Sequence, residues 1–204
     1  MSTVWFIRHG ESESNAGLQT LSPVFTGLTK CGLKQAECVS EAFTRSPSLI
    51  ITSKYMRTQQ TAQPTIKRFP NAKQDQWEVH EFTYLSWFHS SSMTVQERRP
   101  MVNDFWELND PSYSDGEGAE SFIQFISRVS SVLERLRYSE EDFIAIFTHG
   151  YFMRAVLWLL LDPPSRIDSD SMGEFRSRLE TVSIPNGAIL PVKLRGRDKT
   201  WVGD

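Results

Sequence analysis

Cysteine is scarce in this chain of 204 residues. Cys31 and Cys38 are the two present, and they make neither a disulfide framework nor a four-ligand zinc site. Both fall on one predicted helix, seven positions and so about 10 Å apart along its axis, too far for a mutual bridge. They read as small packing residues of a reducing compartment. Long hydrophobic runs are absent: the longest, Ala155–Leu161, is far below the ~20 residues that cross a bilayer. Arg8-His9-Gly10-Glu11 follows the first apolar run too soon for a signal peptide. The expectation is a cytoplasmic protein with no membrane partner. An excess of either charge is missing as well, with 22 Lys+Arg against 25 Asp+Glu and a net charge of −3. Such a surface offers no broad basic field to a nucleic acid, so any anion is held by a few local cations. No repeat and no dividing linker is found. Residues 1–204 read as one domain.

Core material is plentiful, with 13 Phe, 6 Trp and 5 Tyr, and disorder is excluded as the main state. Val4–Ile7, Leu49–Ile51 and Phe143–Phe147 are short continuous apolar runs of the kind that buried parallel strands give. Between the first two lies the helical stripe Leu33, Ala36, Val39, Phe43. Between the second and third lies Phe122, Phe125, Ile126, Val129, Leu133, Leu136. A further helix is predicted from about Tyr151 to the stop at Pro163-Pro164. Strands alternating with helices predict an α/β layered fold with a mostly parallel sheet. Asn109–Gly118 and Pro163–Gly173 read as surface loops. Pro185-Asn186-Gly187, between Thr181–Ile184 and Ala188–Leu194, reads as a hairpin or tight connection. Tyr84–Trp106 has no clear period and reads as an excursion over one edge of the sheet.

Two of the apolar runs end alike, in Arg8-His9-Gly10 and in Thr148-His149-Gly150. Ligands of open α/β sheets sit outside the carboxyl ends of the strands. If the two strands are parallel neighbours, His9 and His149 face one cleft. The run Leu49–Ile51 leads on to Arg57, which brings a second arginine to the same end of the sheet. A lone histidine after a strand is most often structural, but two H-G endings with arginines beside them point to an anion site.

These residues fall in a longer ordered set. Arg8-His9-Gly10-Glu11-Ser12 with Asn15 is followed by Leu28-Thr29-x-x-Gly32-x-x-Gln35-Ala36. Ser53-x-x-x-Arg57-Thr58-x-x-Thr61-Ala62 comes next, then Gly118-Ala119-Glu120-Ser121 with Arg128, Thr148-His149-Gly150 and Pro185-Asn186. The set resembles the histidine phosphatase superfamily, the phosphoglycerate mutase-like group, over almost the whole chain. The resemblance implies a three-layer α/β/α sandwich, no metal or other cofactor, and a phosphate monoester of a small molecule as substrate. It makes His9 the nucleophile that takes the phosphoryl group. Arg8, Arg57, His149 and Asn15 then hold the phosphoryl oxygens. A neutral imidazole attacks with one nitrogen when its other N–H is held by an acceptor, and forked guanidinium groups suit the charge that gathers on phosphate oxygens.

The proton donor implied by the same resemblance is Glu81, 24 positions after Arg57. Strand alternation through Trp77-Glu78-Val79-His80-Glu81-Phe82 puts Glu81 on the face of Trp77 and Val79. An apolar setting raises a carboxyl pKa and suits a general acid. His80 is expected to point the other way, and neither it nor His89 is assigned to catalysis. The stretch 16–27 departs from the family pattern, which leaves phosphate contacts by Ser22 or Thr26 unassigned. The span from Glu81 to His149, 68 positions, is short for a mutase. An excursion or cap at about 84–118 carries Tyr84, Trp87, Phe88, Met93, Phe105 and Trp106, with Arg98 and Arg99 as its basic residues. Those aromatics either line the pocket, favouring an apolar or ring-bearing leaving group, or merely pack. The sequence reads as a metal-independent phosphomonoesterase with a phosphohistidine intermediate. A mutase-type phosphotransferase and a phospho-ligand-binding regulatory domain are the alternatives, and monomer and dimer are equally open.

Overall fold

A computed structural model describes residues 2–19, 22–90, 93–195 and 200–203, without the side chains of 89, 90, 195 and 200–203. Its strands are β1 (Ser2–Arg8), β2 (Leu49–Thr52), β3 (Lys73–Gln76), β4 (Phe143–Thr148), β5 (Ile189–Arg195) and β6 (Thr200–Gly203). They form one sheet in the order β3-β2-β4-β1-β5-β6. β1 pairs in parallel with β4, Ile7 opposite Phe147, and β2 is parallel to both β4 and β3. β5 runs antiparallel to β1 and to β6. The sheet is therefore mostly parallel, as predicted.

The helices are α1 (Lys30–Glu41), α2 (Met56–Arg68), α3 (Trp87–Ser90), α4 (Val95–Leu108), α5 (Phe122–Arg137), α6 (Gly150–Leu161) and α7 (Ser169–Thr181). Side chains of a strand alternate between faces, and each face of this sheet has its own core. Ile7, Ile50, Phe143, Ala145 and Phe147 pack with Val39, Phe43 and Ala62 beneath α1 and α2. Val4, Phe6, Ile51, Ile144 and Ile146 pack with α5, α6 and α7. This is the three-layer α/β/α sandwich.

Several expectations change. Leu33 of the first stripe is half exposed and Phe43 lies beyond α1, because α1 buries only a narrow strip, with Ala36 and Val39 in it. Cys31 and Cys38, also on α1, are exposed rather than packed. The loop predicted over 163–173 ends early, since Asp168 caps α7 through the Ser171 N–H. Pro185-Asn186-Gly187 is the tight connection and not the hairpin: α7 precedes it, and the turn, with Gly187 at φ 77°, feeds β5 back along β1. The excursion packs against helices: Tyr84 meets Tyr151 of α6 at 5.9 Å, and Trp106 of α4 meets Phe175 of α7 at 6.4 Å. Among the described residues no helix is long and apolar enough to cross a membrane.

Candidate active site

The alternation that divides the two cores also aims the functional side chains. Carried one step past β1 and β4, it sends His9 and His149 toward the α2 side, where their rings meet edge to face with centroids 5.1 Å apart. Arg57 reaches both from the first turn of α2. Its Nε donates to His9 Nε2 at 3.1 Å and its Nη2 to His149 Nδ1 at 3.1 Å. A guanidinium only donates, so both ring nitrogens accept and both imidazoles are neutral. On His9 the proton therefore sits on Nδ1, 2.6 Å from the Gly10 carbonyl. Burial first, and the Arg57 charge second, hold its pKa well below the usual value.

The backbone around His9 is fixed at several points. The Gly10 N–H donates to Thr61 Oγ1, and Asn186 Nδ2 donates to the His9 carbonyl at 3.0 Å. Gly10 and Gly32 are obligatory for the close approach of β1's end to α1. A Cβ at Gly10 would lie 2.4 Å from the Gly32 carbonyl oxygen, and one at Gly32 would lie 2.1 Å from that of Glu11. Arg8, on the other face, donates through Nη1 to the Ile184 carbonyl, while its buried Nε has no partner among the described residues. Asn15 Oδ1 accepts from Ser12 N, Ser12 Oγ and Asn186 Nδ2, which leaves its own Nδ2 as the atom that can meet a ligand.

Arg8, His9, Asn15, Arg57 and Glu81 line one cleft of about 960 Å³. His149 does not line it. The sequence reading had His149 donate to a phosphoryl oxygen, but it is fully buried behind Arg57. Its Nδ1 accepts from Arg57, and its Nε2 hydrogen goes to Ser53 Oγ at 2.9 Å. His149 thus orients the guanidinium rather than facing the cleft. Ser22 and Thr26 lie in the cleft wall, with the Thr26 hydroxyl spent on the Ser22 carbonyl.

Glu81 reaches the cleft by a route the sequence did not indicate. β3 stops at Gln76, and residues 77–86 are irregular, so strand alternation does not govern them. Arg128 of α5 arranges this segment instead. It donates to the carbonyls of Glu78 and His80 at 2.9 and 3.0 Å and pairs with Glu120. Thr148 Oγ1 adds a bond to the Val79 carbonyl at 2.6 Å. Glu81 Oε1 accepts from the Tyr151 and Phe82 N–H groups at 2.9 and 3.2 Å, which caps α6, whose own N-cap makes no side-chain bond. Burial nonetheless raises its pKa, against the lowering by Arg57 and Arg8. His80 does not point away: it too lines the cleft. The side chain of His89 lies outside the described residues. Tyr84 and Trp87 line the cleft, whereas Phe105 and Trp106 are core and Phe88 is exposed. Asn186, Arg128 and Glu120 stand in the ordered set read from the sequence without a role, and their positioning roles come only from the three-dimensional contacts.

A sequence model of the histidine phosphatase superfamily (branch 1) matches residues 4–180. The chain belongs to that superfamily. It is 24% identical over 166 residues to the adenosylcobalamin/alpha-ribazole phosphatase of Salmonella typhi, covering 79% of this chain and 81% of the relative. It is 23% identical over 167 residues to the metal-independent phosphoserine phosphatase of Arabidopsis thaliana, covering 76% and 67%. Among solved structures, the alpha-ribazole phosphatase of Shigella flexneri superposes with a TM-score of 0.75 at 20% identity, over 99% of this chain and 94% of that one. The family match over residues 4–180 establishes the superfamily, and the structural likeness shows the fold. Among the described residues no group of three or more His, Cys, Asp or Glu side chains is set to hold a metal ion.

Proposed function

We propose that this protein is a metal-independent phosphomonoesterase that works through a phosphohistidine on His9. The observation that carries the reading is the pinned tautomer of His9, with Nδ1–H on the Gly10 carbonyl and the Nε2 lone pair toward Arg57 in the cleft. The phosphoryl group enters between Nε2 and Arg57, so that Arg57, Arg8 and the Asn15 amide take its oxygens. Nε2 attacks phosphorus while the bond to the leaving oxygen breaks, and Glu81 gives that oxygen its proton. Water then attacks the phosphohistidine, losing a proton to the Glu81 carboxylate, and phosphate and neutral His9 are restored. Preorganised donors carry most of the stabilisation, since phosphoryl transfer needs little other covalent help.

The cleft beyond Glu81 has an apolar wall of Tyr84, Leu85, Trp87, Val95 and Val102. This supports a substrate whose leaving alcohol is apolar in part or bears a ring. The testing experiment is rapid quenching with a phosphorus-labelled aryl phosphate, with and without EDTA. A base-stable, acid-labile label on His9 and turnover indifferent to the chelator are expected. Turnover abolished by EDTA overturns the mechanism. Interconversion of 2- and 3-phosphoglycerate faster than hydrolysis of any monoester would replace it with the mutase reading.

A further inference from the structure

Among the polar groups of the cleft wall that take no part in the steps above, the Tyr55 hydroxyl and the His80 imidazole lie close together. Both residues are deeply buried, Tyr55 3% and His80 7% exposed, with rings 5.8 Å apart. His80 Nδ1 is sealed from solvent 2.9 Å from Glu78 Oε2, out of line for a full hydrogen bond. Two lone pairs do not settle at that distance, so Nδ1 carries the hydrogen and Nε2 the lone pair. Among the described residues neither His80 Nε2 nor Tyr55 Oη has a protein partner, and neither is sealed in. The backing is firm. Arg128 holds the carbonyl of His80, and the Lys54 ammonium stands 4.0 Å from the Glu78 carboxylate. The Tyr55 ring lies beneath the Arg57 guanidinium at 4.6 Å, which sets the pair beside the phosphoryl end.

We infer that Tyr55 and His80 form a hydroxyl-reading subsite for the leaving group, taking phosphate monoesters of polyhydroxylated alcohols of the sugar or glycerol type. This rests on the phosphomonoesterase reading and names its substrate class. One substrate hydroxyl donates to His80 Nε2, and a hydroxyl oxygen accepts from Tyr55 Oη. Burial keeps both groups neutral, lowering His80 to about 3 and raising Tyr55 to about 12. The apolar wall of Tyr84 and Trp87 takes the remaining face of the alcohol.

The test compares glycerol 1-phosphate with n-propyl phosphate, which has the same carbon chain and lacks both hydroxyls. The wild type should favour the glycerol ester at least about tenfold in kcat/KM, since the ester without hydroxyls leaves one acceptor and one donor unmet. His80→Phe should bring the ratio close to one, Tyr55→Phe should lower it severalfold, and His80→Gln, which keeps an acceptor, should retain part of it. Equal handling of the two esters by the wild type, or an unchanged ratio in both Phe variants, overturns the subsite. Calorimetric binding of the same esters to His9→Ala gives a second reading that needs no turnover. If the wild type hydrolyses no ester at all, the phosphomonoesterase reading fails, and the difference between the two binding constants alone decides the subsite.

Discussion

At the phosphoryl end of the cleft, His9, Arg57 and His149 all stand within five residues of the end of a parallel strand. At the leaving-group end, Glu81, His80, Tyr84 and Trp87 come from irregular backbone and a one-turn helix. In the first set sheet alternation aims His9 and His149, α2 supplies Arg57, and all three are tied atom to atom, Gly10 to His9 to Arg57 to His149 to Ser53. The second is held from outside, by Arg128, Glu120, Thr148 and the start of α6. In the proposed reaction the group that every substrate shares is thus met at the strand ends, and the group that differs between substrates is met by the clamped segment.

That division predicts different signatures for damage at the two ends. His9→Ala should remove nearly all turnover, and equally for every monoester, because all pass through the same nucleophile. A large residual rate on any one ester, read from steady-state kinetics on an alkyl and an aryl phosphate, would break the comparison at its root. Glu81→Gln should cost about 10²–10⁴ in kcat on alkyl phosphates and much less on p-nitrophenyl phosphate, whose oxygen leaves largely unaided. The wild-type rate on alkyl esters should fall as pH rises through the raised pKa of Glu81, and the variant should lose that limb. Stability carries the same sign. A carboxyl whose pKa is higher folded than unfolded binds its proton more tightly in the native state, so it costs stability as pH rises between the two values. The melting temperature of Glu81→Gln relative to wild type should therefore climb from acid toward neutral pH.

Arg128→Met leaves Glu120 buried without its partner, their side chains being 13% and 14% exposed. It should lower stability by about 3–5 kcal/mol in denaturant unfolding, the range for one partner removed from a buried pair. Below its unfolding transition the variant should lose more rate on alkyl than on aryl phosphates, since the clamp serves the acid rather than the nucleophile. An equal loss would show that the clamp reaches both ends. Cys31→Ser and Cys38→Ser, on the exposed side of α1 and remote from both ends, should each change stability by less than about 0.5 kcal/mol.

Legibility in the sequence followed the same line. Val4–Ile7 and Phe143–Phe147, buried on both faces, announced themselves as continuous apolar runs, and their matching H-G endings located His9, the proposed nucleophile. α4 was passed over although Thr94 and Glu97 form a capping box, because Pro100 and a mixed surface blur its period. α7 was hidden by the polar stretch around its cap at Asp168. Glu81 was found through the family spacing, while the strand invoked for it does not exist: Arg128, 47 positions on, shapes that backbone. His149 was placed correctly beside His9, but which side of Arg57 it occupies depends on the depth of the α2 helix, for which no residue pattern stands.

The Asn186 bond to the His9 carbonyl has a consequence for the order of events during synthesis. β1, with His9 just past its end, leaves the ribosome well before Phe143–Thr148 and Ile189–Arg195, the two strands that flank it in the sheet. Contacts so distant along the chain form slowly and late. Until the turn at Pro185–Gly187 has been made, His9 has no fixed carbonyl and Arg8 no Ile184 to rest on. A nascent chain thus carries its reactive histidine for most of its length without a pocket to use it in.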